Sequence, residues 1–148
     1  MNKGNRRIED VMARDVVTID ASATLRDAAQ LMRDANVGML PVMEGNRLRG
    51  VVTDRDLVVR AMTGDFLPSS VPVGECLTEN PICARPDWPT EQAMAVMARE
   101  QIGRLPVIDA RNQVVGVVTL SSVALRGHEP EQALEAAQEV SKRSEHAA

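Results

Sequence analysis

Four consecutive residues, Thr53-Asp54-Arg55-Asp56, concentrate the chemistry of this chain. They follow the β-branched run Gly50-Val51-Val52 and precede Leu57-Val58-Val59, so they fall where a strand gives way to a helix. The first turn of a helix carries N–H groups without intrahelical partners and the positive end of the helix dipole, both favourable to phosphate. Thr53 can donate its hydroxyl to a phosphate oxygen, and Arg55 adds positive charge. An ionised Asp56 is acceptor-only and can take two hydroxyl protons, as from a ribose. The same spacing is also a capping box, with Thr at the N-cap and an acid three residues on. The two uses are compatible, because a cap can be released when a ligand binds.

These residues lie inside a unit that occurs twice. Gly38-Met39-Leu40-Pro41-Val42 returns as Gly103-Arg104-Leu105-Pro106-Val107, and Gly50-Val51-Val52-Thr53 as Gly116-Val117-Val118-Thr119. The offset is 65 in the first block and 66 in the second, so the later copy has one extra residue between them. Upstream, Val11-Met12 aligns with Cys76-Leu77, Ala28 with Ala93, Met32 with Met97, and Val37-Gly38 with Ile102-Gly103. The repeats span residues 8–63 and 73–126, joined by a linker at 64–72 and followed by a tail at 127–148. A unit of about 60 residues buries too little surface to be comfortable alone, and two sharing a core make an ordinary domain.

The elements that must position the motif follow from periodicity. Each repeat opens on a short helical segment, Ile8 to Met12 in the first. A β-branched strand Val16–Ile19 comes next, then a helix from Thr24 to Asp34 with Leu25, Ala28, Ala29, Leu31 and Met32 at helical spacing, stopped at Asn36. A hairpin of Met39–Met43 and Leu48–Thr53 leads into a helix from Asp54 to Met62. The second repeat predicts strand Ile82–Ala84, helix Thr90–Glu100, strands Leu105–Ile108 and Val114–Thr119, and a short helix. The fold class is α/β, with two β-α-β-β-α repeats related by a pseudo-two-fold, each with a three-stranded sheet. Glu129–Ser144 adds a C-terminal helix with a thin apolar stripe of Ala133, Leu134, Ala137 and Val140.

Composition removes several function classes. There is one Phe, one Trp and no Tyr, so the core is aliphatic and base stacking is not on offer. A net charge of −4 gives no basic field for nucleic acid, and the arm Asn2–Arg7 reads as a solvated terminus. No apolar run approaches the length of a membrane span, and the first residues lack the apolar stretch of a secretion signal, so a cytoplasmic location is expected. Cys76 and Cys83 take the places of Val11 and Thr18 and read as small, partly buried residues. Their spacing is not that of zinc ligands, and His128 and His146 lie far along the chain.

The constellation Ile8-Glu9-Asp10-Val11-Met12, Val37–Val42 and Gly50–Leu57, with its second copies, resembles the tandem cystathionine-β-synthase (CBS) domain pair, or Bateman module, in a stand-alone bacterial form. That resemblance implies a regulatory sensor binding an adenosine-containing ligand (AMP, ATP, NAD or S-adenosylmethionine) in clefts between the repeats, with no obligatory cofactor, and pairing into a homodimer. It also implies a ribose-binding Asp56 and a phosphate-contacting Thr53. Backbone at Val17 and Thr18 with Met39, Leu40 and Pro41 would make the purine pocket, or would only pack the sheet. Arg104, in the place of Met39, would reach phosphates beside Thr119. In the second copy Ser122 replaces the acid, so the Asp56 site is expected to be competent and the Ser122 site weak.

No nucleophile–base pair, Walker-type loop or His-Glu-x-x-His motif occurs, so an enzyme is not expected. The rival reading is a ligand-independent dimerisation or protein-interaction module in which Asp56 only caps its helix.

Overall fold

The computed structural model describes residues 6–126 and 130–147, with side chains at 6–126 and 131–142. Residues 2–5 of the basic arm, His128 and the His146 side chain lie outside the described residues. In chain order the elements are α1 (Ile8–Val11), β1 (Ile19–Asp20), α2 (Leu25–Ala35), β2 (Met39–Glu44), β3 (Arg47–Thr53), α3 (Asp54–Ala61), β4 (Thr78–Glu79), α4 (Thr90–Glu100), β5 (Arg104–Ile108), β6 (Val114–Thr119), α5 (Leu120–Arg126) and α6 (Pro130–Ala147). The architecture is mixed α/β, and no described helix is long and apolar enough to cross a membrane.

The helices begin and end where local chemistry dictates. Thr24 and Asp27 form a reciprocal cap on α2: Asp27 N donates to Thr24 Oγ1 at 3.1 Å and Thr24 N donates to Asp27 Oδ2 at 3.0 Å. Leu25, Ala28 and Met32 are buried along one face, and α2 stops at Asn36, whose φ of 54° is left-handed. In α4 the corresponding stop is Gln101, with φ 56°.

The chain divides into two compact units that do not follow the repeats. Val17–Pro81 form the first; the described residues before Val17 and after Pro81 form the second. The first unit closes around Leu25, Ala28, Leu40, Val42, Val52 and Val73. The second closes around Ile8, Val11, Met94, Met97, Leu105 and Val118, with Ala133 and Ala136 of α6 joining them. Each sealed Val, Leu, Ile or Met side chain contributes about 1.5–3 kcal/mol.

The opening segment of each repeat is built into the unit of the other. In the first unit the sheet order is β1-β2-β3-β4, and β4, from the start of the second repeat, pairs antiparallel with β3 through Gly50↔Glu79 and Val51↔Thr78. In the second unit Ala13, from the start of the first repeat, bridges Val117 of β6, and Ala84 bridges Val107 of β5. The expected three-stranded sheet is therefore corrected to four strands in the first unit. In the second it becomes a β5-β6 hairpin flanked by single bridges.

The expected strand Ile82–Ala84 contracts to one bridge at Ala84. The strand expected at Val16–Ile19 starts only at Ile19, because Val16 N turns back to Arg14 O at 2.9 Å.

The exchange explains the repeated glycine. A Cβ at Gly50 would collide with the Thr78 carbonyl oxygen and would stand 2.7 Å from Leu77 Cδ1. At Gly116 it would stand 2.6 Å from Met12 Sδ and 2.9 Å from Ala13 O. In both units the exchanged segment lies flat against a glycine, where a side chain would have to push it away.

Candidate functional site

In the first unit the end of β3 and the start of α3 form one rigid corner. Asp54 N donates to Gly38 O at 3.0 Å, tying the corner to the residue before β2. Met39 lies directly opposite Thr53 in the β2–β3 ladder. Thr53 is the N-cap of α3 in extended conformation, with φ −110° and ψ 163°. Asp56 N donates to Thr53 Oγ1 at 3.1 Å, and Thr53 N donates to Asp56 Oδ2 at 2.9 Å. Both side chains are half-buried, while Arg55 is exposed. Asp56 Oδ1 bonds no other described residue, so one carboxylate oxygen serves the cap and the other is available as an acceptor.

The second unit repeats the corner with different chemistry. Leu120 N donates to Gly103 O at 2.9 Å, and Arg104 lies opposite Thr119. Ser122 N donates to Thr119 Oγ1 at 3.1 Å and Thr119 N to Ser122 Oγ at 3.1 Å. The Ser122 hydroxyl also donates to Thr119 O at 2.9 Å. Its proton and one lone pair are thus spent on the backbone, leaving a single acceptor position where Asp56 keeps a whole oxygen. The cap is preserved and the carboxylate is lost.

Beside this second corner opens a groove of about 700 Å³. Its walls are the ends of β5 and β6 at Arg104 and Thr119, α5 at Leu120 and Ala124, and α6 at Leu134 and Ala137.

The structure therefore gathers Met39, Thr53, Arg55 and Asp56 on one corner, and Arg104 and Thr119 on the equivalent corner of the other unit. Val17 and Thr18 immediately precede Ile19, which pairs in parallel with Val42 of β2; Val17 is half-buried and Thr18 exposed. Pro41 is buried in β2 and Met39 is 8% exposed. Leu40 is 0% exposed and packs within the core of the first unit. Sequence reasoning missed Gly38 and Gly103 as carbonyl anchors, and missed the contribution of α6 to the groove. The duplicated glycines themselves were the available signal for the first. For the second there was only the apolar stripe on α6.

The CBS domain family model matches residues 8–62 and 73–128. The CBS domain-containing protein YhcV of Bacillus subtilis is 34% identical over 94% of this chain and 98% of its own length. The structure of CBSX2, a protein of Arabidopsis thaliana, in complex with AMP shares 25% identity and a TM-score of 0.72, covering 84% of this chain and 98% of that one. The structure of Hypoxic Response Protein I with two coordinated zinc ions shares 30% identity and a TM-score of 0.73, covering 81% and 98%. Among the described residues of this chain, no group of three or more His, Cys, Asp and Glu could hold a metal ion.

Proposed function

The chain belongs to the CBS domain family as a tandem pair, and from that premise we propose that it is a regulatory, non-catalytic module of the cytoplasm that binds an adenosine-containing ligand at the Asp56 corner. One observation carries this reading: Asp56 is fixed at the start of α3 by Thr53 and still presents Oδ1 as a charged acceptor. A carboxylate so held can accept from a ribose diol. Thr53, the α3 N-terminus and Arg55 supply a donor, a favourable dipole and a positive charge for phosphate. Val17, Thr18, Met39 and Pro41 are the residues proposed to flank the purine, and Arg104 and Thr119 those of the weaker second site. The AMP held by CBSX2 supports this class of ligand; AMP, ATP, NAD and S-adenosylmethionine are the candidates.

A homodimer is part of the proposal. On and just after α3, Val58, Val59 and Met62 are 58%, 50% and 80% exposed, an apolar face that suits a second copy.

The test is the melting temperature of the protein with AMP, ADP, ATP, NAD and S-adenosylmethionine, with Asp56→Asn alongside. A ligand at about 100 times its Kd adds about 2.7 kcal/mol to the folded state. A shift for one ligand, lost in Asp56→Asn, supports the proposal. No shift for any of the five favours the interaction module.

A further inference from the structure

The two corners diverge in a consistent direction. The first carries Asp54, Arg55 and Asp56; the second carries Leu120, Ser121 and Ser122 in the same places. Met39, buried in the first, becomes Arg104, exposed in the second. Val58 becomes the smaller Ala124, which lines the groove beside α5. The far wall is α6, which lies beyond both repeats and seats Ala133 and Ala136 in the core of the second unit. The far wall of the groove therefore has no counterpart in the repeat pattern. No residue lining it is acidic, its one charged group is Arg104, and Arg104 makes no ion pair among the described residues.

We propose that this groove is a second binding site, separate from the Asp56 corner, for an amphipathic monoanion: an apolar chain along Leu120, Ala124, Leu134 and Ala137, with its carboxylate on Arg104. The groove is open to solvent along one side, and its lining is mostly apolar with one charged anchor, the pattern that suits an amphipathic ligand lying along it. Charge complementarity sets the head group, because a guanidinium fork pairs a carboxylate through two parallel hydrogen bonds. The loss of the acids that occupy the first corner removes the repulsion such an anion would meet there. A nucleoside diol is the poorer occupant here, because Ser122 keeps one neutral acceptor position where Asp56 keeps a whole carboxylate oxygen.

Calorimetric titration of the full chain with octanoate, and separately with octanol, tests the site. Octanoate is expected to bind saturably, and octanol about 10-fold or more weaker. Arg104→Met, which installs the residue of the first repeat, is expected to weaken octanoate about 10-fold. Ala124→Phe, at an exposed position that can take a ring without disturbing the core, fills the groove and abolishes binding. Asp56→Asn leaves octanoate binding unchanged, which separates this site from the nucleotide proposal. No saturable heat, equal binding of octanol, or unchanged affinity in both Arg104→Met and Ala124→Phe overturns the proposal. So does a loss of octanoate binding in Asp56→Asn.

Discussion

Thr53 and Asp56 hold each other: each donates its backbone N–H to the other's side-chain oxygen, at 2.9 and 3.1 Å. If Asp56 takes a ligand as proposed, the carboxylate offered is the one that starts α3, and binding is coupled to the order of the helix terminus. A nucleotide that draws Asp56 toward a ribose must compete with the cap or share it through Oδ1.

Removing the two partners separates stability from binding. Thr53→Ala strips the N-cap oxygen and is expected to cost about 1 kcal/mol, a fall of roughly 2–4 °C in melting temperature for a chain of this size. Asp56→Asn keeps an acceptor for Thr53 N and loses only charge near the dipole, about 0.3–1 kcal/mol. Its larger effect is expected on the ligand-induced shift. Thermal melts with and without nucleotide report both; an undiminished shift in Asp56→Asn would remove the residue from the site.

Alanine at Gly50 or Gly116 must push away the exchanged segment. Gly50→Ala faces a backbone carbonyl that cannot yield, whereas at Gly116 part of the clash is with the flexible Met12 side chain. Both are expected to destabilise by about 1–3 kcal/mol, Gly50→Ala the more. Denaturant midpoints for the two variants test the order; equal midpoints to the parent would mean the exchanged segments are not held as described.

Thr90 is the buried polar residue of the second unit, 0% exposed, and its Oγ1 has no hydrogen-bond partner among the described residues. Leu25 occupies the matching position of α2 and is buried as an apolar residue should be. Thr90→Val removes the unsatisfied hydroxyl and is expected to stabilise by about 1 kcal/mol. A melting temperature that falls would show the hydroxyl to be satisfied.

Acid should weaken the fold through two exposed aspartates. The Ser22 hydroxyl, then its backbone N–H, hold Asp20 below the ordinary value of 3.8. The Thr24 backbone N–H, then its side chain, hold Asp27 below the same value. A carboxyl whose folded value is depressed gives its full stabilisation above the unfolded value and loses it as pH falls through the folded one. Melting temperature is therefore expected to hold between about pH 7 and 5 and to fall below about pH 4, with a shallower fall in the Asp20→Asn, Asp27→Asn double variant. An equal slope in that variant would assign the acid sensitivity elsewhere.

What the chain settles by itself is local. The 3.6-residue spacing of Leu25, Ala28 and Met32 made α2, Thr24 and Asn36 bounded it, and the duplicated Gly-x-Leu-Pro-Val and Gly-Val-Val-Thr blocks gave the hairpins and the strand-to-helix corners. The divergence of Asp56 and Ser122 was equally visible, because alignment of two copies needs no coordinates. Only the tertiary structure showed that each repeat lends its opening segment to the other's unit, which is why Gly50 and Gly116 are glycine. It also sealed Leu40 in the core and brought α6 against α5 to wall the groove at Arg104. The physical reason is range. Caps, helical stripes and turns are decided within a few residues, whereas strand exchange and groove walls join segments far apart along the chain, where side-chain pattern specifies an apolar face but not which face it meets.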